Sequence, residues 1–180
     1  MSRLLLFAFI SQIPFNLFQS LYTNTYNLNI FYTLFLGLLL IIIYERIKNF
    51  TTKKKEQNNS KFYTFIINFF FIALLFIFCF LSEKFKFDYG FFGVCTILLF
   101  HIFKDKKILT NISFTLLSLI KYILDILTFG YHYLYILFFI GTISSLIFIN
   151  LYNRKQGKKI KYLLYLFYPT HLLILYLLFK

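Results

Sequence analysis

The amino-acid sequence predicts an all-α fold, a polytopic transmembrane helix bundle of about seven spans, with its N-terminus cytoplasmic and its C-terminus outside. Three observations lead there. First, 60% of the 180 residues are hydrophobic and only 14% are charged. A single soluble core of this size cannot hide so much apolar surface, so lipid has to be part of the solvent. Second, seven apolar runs approach the roughly twenty residues a helix needs to cross a bilayer. Third, basic residues are dense in alternate loops and sparse in the loops between them.

The first run, Leu4–Phe18, follows Arg3 and is interrupted by Gln12, Pro14 and Asn16. It is expected to stay in the mature chain, because "SLYTNTYNLN" behind it offers no small-residue cleavage site. Ile30–Tyr44 and Phe62–Leu81 are almost unbroken aliphatic and aromatic stretches. Phe91–Phe103 is short, and Gly90 and Gly93 weaken its start. Ile108–Thr128 contains Lys121 and Asp125, whose spacing of four places them on one helical face where they pair. Tyr133–Leu151 begins among Tyr131, His132, Tyr133 and Tyr135, an interfacial aromatic belt. Tyr162–Phe179 carries "YPTH" at its centre.

The loops give the orientation. Arg3 and the segments "ERIKNFTTKKKEQNNSK", "KDKK" and "NRKQGKKIK" hold 15 of the 19 Lys and Arg, and the intervening loops hold only Lys84 and Lys86. By the positive-inside rule the richer set is cytoplasmic. The chain therefore reads as one transmembrane domain over residues 1–180 with a basic cytoplasmic loop near 45–61. The net charge of +13 is explained by topology and by attraction to anionic headgroups, so no nucleic-acid partner is expected. Cys79 and Cys95 lack metal-ligand spacing and read as small core residues; no metal is expected.

In such a chain the informative residues are polar groups at membrane depth. At about 1.5 Å of rise per residue, Gln12 and His171 fall near the midplane, with Asn16, Lys121 and Asp125 in the outer half. Asp88 lies at the outer mouth of the fourth run. Pro169 frees the Tyr165 carbonyl from its helical bond, so a bend and a polar pocket can form where His171 sits. An imidazole there suits acid–base chemistry. The polar residues are expected to converge between the first, fifth and seventh spans. Read alone, they also fit a membrane binding or transport module that uses Lys121–Asp125 and His171 to hold a solute or relay protons.

The segments "FAFISQIPFNLF", "NIFYTLFLGLLLIIIYE", "DYGFFGV" with "LLFHIFK", and "KYLLYLFYPTHLLILYLL" resemble, in order, the TraX family of bacterial inner-membrane proteins. "SQIPFNL" and "YPTHLL" are the specific pair. The resemblance implies an acetyltransferase that moves an acetyl group from acetyl-CoA to the amino terminus of conjugative pilin or another exported protein. It selects Ser11, Gln12, Pro14, Asn16, Asp88, Tyr89, Gly90, Tyr168, Pro169 and His171. His171 is the catalytic candidate from its own position in the seventh run, whereas the resemblance favours a His in an earlier span. Gln12 and Asn16 line a polar interior, Asp88 and Tyr89 shape its mouth, and Pro14, Gly90, Tyr168 and Pro169 are structural. Family members have more chain in front, with an Asp-His pair and a later Arg. The resemblance therefore implies a chain lacking that N-terminal part, through a start codon assigned too late, a truncated gene or a shortened variant, and a truncated form is expected to be inactive.

Overall fold

The computed structural model describes residues 2–23, 25–56, 61–153, 155 and 161–180. Seven α-helices are found among them: α1 Ser2–Gln19, α2 Ile30–Glu56, α3 Lys61–Lys84, α4 Gly90–Ile102, α5 Lys107–Phe129, α6 Tyr133–Leu151 and α7 Lys161–Phe179. Every apolar run is thus a helix. The boundaries move little except in α2, which continues past Tyr44 through Glu56 because nothing from Glu45 onward breaks a helix and several residues favour one. Among the described residues, four segments are long and apolar enough to span a membrane: Ile30–Thr52, Thr64–Lys84, Lys107–Phe129 and Tyr133–Leu151. The thirteen residues of α4 reach only about 20 Å, short of a hydrocarbon layer of about 30 Å.

The helices form two compact units, one made of residues 1–94 and 160–180, the other of residues 95–159. In the first, α1 packs against α7 and α2, and α2 packs against α3. Stacking of Phe7 on Tyr165 (ring centroids 4.6 Å apart) and an edge contact of Phe31 with Tyr168 (5.2 Å) tie α7 to the start of the chain. In the second unit α5 packs against α6, with Tyr122 against Phe139.

The burial pattern is that of a protein solvated by lipid. Phe9, Phe65, Phe76, Leu127 and Phe148 are exposed, although they are the most apolar side chains available. Among the largest fully buried side chains, Leu40 and Val94 are aliphatic, but Asn29, Thr33, Ser11 and Ser82 are polar. Between lipid-solvated helices there is no hydrophobic gain in hiding Leu or Phe, so close approach of small residues and internal hydrogen bonds take over.

Gly93 shows the tightness of that packing. A Cβ there would lie 2.6 Å from both Thr33 Cγ2 and Tyr89 Cβ, whereas one on Gly141 would meet nothing within 4 Å. Gly93→Ala is expected to cost about 1–3 kcal/mol by forcing its neighbours apart. Gly141→Ala is expected to be neutral or to add up to about 1 kcal/mol through helix propensity. Equilibrium unfolding of the two variants in mixed micelles measures the difference.

Candidate functional site

The first unit holds a polar knot built around Gln12 on α1. Gln12 Nε2 donates to Asn16 Oδ1 (2.7 Å) and to the Asn27 carbonyl (2.8 Å). Gln12 Oε1 accepts from the Asn29 backbone N–H (3.1 Å) and from Asn29 Nδ2 (2.9 Å). The Asn27 carbonyl can only accept and the Asn29 N–H can only donate, so the amide orientation is fixed by its partners. All four hydrogen-bonding valences of Gln12 are filled. Asn29 is wholly buried; its Nδ2 also donates to the Ala8 carbonyl (2.8 Å), and its Oδ1 accepts from Phe31 N (3.0 Å). Asn29 therefore caps the N-terminus of α2 and joins it to α1 with the same side chain.

Pro14 is buried within α1, and the helix runs unbroken through it. Its missing N–H leaves the Ile10 carbonyl without the usual i+4 donor. Ser11, also fully buried, turns its hydroxyl back to the Phe7 carbonyl (2.5 Å). Toward the end of α1, Asn16, Ser20, Thr23, Thr25 and Tyr26 line a cavity of about 220 Å³. The knot thus opens into a small space walled by hydroxyls and an amide, suited to a polar group.

A second element closes over the knot. Leu28 N donates to the Lys86 carbonyl (2.9 Å) and Asp88 N to the Leu28 carbonyl (2.8 Å), giving one parallel bridge between Leu28 and Phe87. The α3–α4 turn is thereby pinned to the residue next to Asn29. Within the turn, Glu83 Oε1 accepts from Phe91 N (2.8 Å), placing a carboxylate at the N-terminus of α4. Gly90 has φ +49°, a conformation that favours glycine, and a Cβ there would displace the Glu83 carboxylate from its place 2.1 Å away.

The bridge fixes Asp88, and Tyr89 after it, beside Leu28. Asp88 is open to solvent on one side, yet protein crowds it enough that desolvation pushes its carboxyl above the usual range. Burial first, and then the Asp88 charge, push the Tyr89 phenol up. The Tyr168 hydroxyl of α7 lies beside the Ile30 backbone and within electrostatic reach of Asp88 and Tyr89. Thr33 Oγ1 is buried nearby, on the α2 turn that touches Gly93 and Tyr89, without a hydrogen-bond partner.

His171 stands one turn beyond Tyr168, half-exposed, with its ring edge-on to Tyr168 (5.6 Å) and stacked on Phe167 (5.0 Å). Its Nδ1 lies 3.0 Å from the Phe167 carbonyl. A carbonyl only accepts, so Nδ1 carries the proton and Nε2 keeps its lone pair. Pro169 lies between these residues and is accommodated within α7. His171 makes no hydrogen bond to Gln12 or Asn16 and approaches the site through the Tyr168 ring.

Lys121 and Asp125 pair with each other on α5, as their spacing predicts, and belong to the second unit. The fifth span therefore supplies none of Gln12's hydrogen-bonding partners; Asn16, Asn27 and Asn29 do. Asn27 and Asn29 escape sequence reading because they sit in a polar stretch, "TNTYNLN", where an asparagine normally reads as loop. The one available signal is Asn29 immediately before a long apolar run, the position of an N-cap.

Apolar helices turned outward around buried hydroxyls and amides define a polytopic helical membrane protein. The model of the family described as TraX protein matches residues 1–179, and the chain belongs to the TraX family. No curated protein and no solved structure matches it.

Asn29→Ala removes the cap and the Nδ2 hydrogen bonds to Gln12 and the Ala8 carbonyl, and is expected to lower stability by about 1–3 kcal/mol in an unfolding titration. Thr25→Ala, at an exposed position, is expected to change it by less than about 0.5 kcal/mol. Asp88 gives a pH signature. Its folded-state affinity for a proton is raised, so ionisation costs stability as pH rises from the ordinary carboxylate value through the raised one. Asp88→Asn is expected to stabilise the fold at neutral pH and to match the wild type at pH values below the ordinary range.

Proposed function

We propose that the chain is a membrane-bound acetyltransferase of the TraX type, acting in the bacterial inner membrane. It would transfer an acetyl group from acetyl-CoA to the amino terminus of pilin or another exported protein. The family match over residues 1–179 carries this reading. In the reaction the amine nitrogen attacks the thioester carbonyl, a C–N bond forms, the C–S bond breaks, and the proton shed by nitrogen passes to the departing thiolate.

The chain's own groups fit the proton handling and the acceptor. His171 is the proposed base, because the Phe167 carbonyl holds its proton on Nδ1 and leaves Nε2 able to take one. The Asp88 carboxylate is complementary to an acceptor ammonium, and the raised Tyr89 phenol beside it stays a neutral hydrogen-bond donor. The knot of Gln12, Asn16 and Asn29 holds α1 and α2 together, and Tyr168 links the two ends of the proposed site, edge-on to His171 and within electrostatic reach of Asp88 and Tyr89. The hydroxyl-lined cavity beside Asn16 suits the polar end of the acceptor backbone.

Co-expression with a pilin carrying a free amino terminus, followed by intact-mass analysis, tests this. Wild type is expected to add one acetyl group. His171→Gln is expected to lower the rate by about 10²–10⁴-fold with unchanged helical circular dichroism. An unmodified amino terminus beside correctly folded wild-type chain overturns the reading.

A further inference from the structure

The second unit contains a larger cavity, of about 470 Å³, within the range of small-molecule sites. It is walled by Phe100, Ile149 and Tyr152, and Lys104, Lys107 and Asn111 also line it. Lys107 donates from Nζ to the Asn150 carbonyl (3.3 Å), which anchors the ammonium at the cavity and leaves two of its three protons for a ligand. Asn111 Oδ1 accepts from Asn150 Nδ2 (3.1 Å), so Asn111 is oriented with its own amide N–H groups uncommitted. The first turn of α5 opens into the same region, and its N-cap, Lys106, supplies no side-chain cap to the backbone N–H groups there. Asp105 also lines the cavity, and the two lysines outnumber it.

Cationic heads, amide donors and an uncapped helix N-terminus together select an anion with several acceptor oxygens. The aromatic and aliphatic wall selects an apolar or aromatic body attached to it. We infer that this cavity binds a phosphate group carried on an apolar or aromatic body. Two sources share that chemistry, the headgroup of an anionic phospholipid and the phosphates of an adenine nucleotide. The inference does not depend on acetyl transfer at the first unit.

The test uses the full chain. In phosphatidylcholine nanodiscs it is titrated calorimetrically with an adenosine bisphosphate. In detergent it is equilibrated with equal parts phosphatidylcholine and phosphatidylglycerol, and retained lipid is counted by native mass spectrometry. Saturable binding in either arm is expected, and the positive arm names the source. The double variant Lys104→Gln, Lys107→Gln is expected to weaken binding about tenfold or more. Asn111→Asp, which adds a carboxylate to the wall, is expected to weaken it comparably. Arg46→Gln with Lys48→Gln removes the same charge elsewhere and is expected to leave binding unchanged. No saturable binding in either arm overturns the inference, as does an equal loss in the charge-matched control or full binding by both cavity variants.

Discussion

The first unit depends on the hydrogen bonds between Gln12 and Asn29. Each side chain is expensive to place among apolar helices, and each is tolerated because the other fills its valences. Gln12 uses two donors and two acceptor positions on Asn16, Asn27 and Asn29. Asn29 uses its remaining groups to cap α2 and to reach the Ala8 carbonyl. A half-satisfied version of this network would be worse than an apolar contact, so it specifies one register of α1 against α2. The neighbouring Leu28–Phe87 bridge extends that register to the α3–α4 turn and thereby to Asp88 and Tyr89.

This explains why small and polar groups share the interior with Phe and Leu. Phe and Leu gain little by leaving lipid for protein, and most of them face outward, although Phe15, Phe31, Leu40, Leu98 and Phe114 are buried. Glycine, serine and threonine let backbones approach. Gly93 against Thr33 and Gly90 under the Glu83 carboxylate are the points where a single methyl group would not fit. Gln12 holds α1 to the chain before α2, while Asn16 both bonds Gln12 and lines the hydroxyl-walled cavity. His171 contributes differently. Its proton is committed to its own helix, and its contact with the site passes through Tyr168.

The helices were legible because each rests on local information. Seven apolar runs separated by polar, basic or glycine-containing turns are helices, and apart from the C-terminal end of α2 they lie within a few residues of the expected ends. Lys121 and Asp125 pair because four residues of helix bring them together without outside help. The N-terminal polar triplet was legible as something other than an anchor, because Gln12 and Asn16 have no solvation in hydrocarbon and must find partners. Their family context was legible from "SQIPFNL" and "YPTHLL", and the match over residues 1–179 agrees with it.

Which partners they find was decided only by the tertiary structure. Gln12 bonds to Asn27 and Asn29, which look like ordinary loop residues until they meet α1. The cavity at the start of α5 likewise needs residues from three separate segments. Sequence alone determined that this chain is helical and membrane-solvated, because hydropathy and helical pairing act over neighbouring residues. The tertiary structure decided where its polar chemistry gathers, because a buried hydrogen bond depends on a partner that the intervening chain must first bring within about 3 Å.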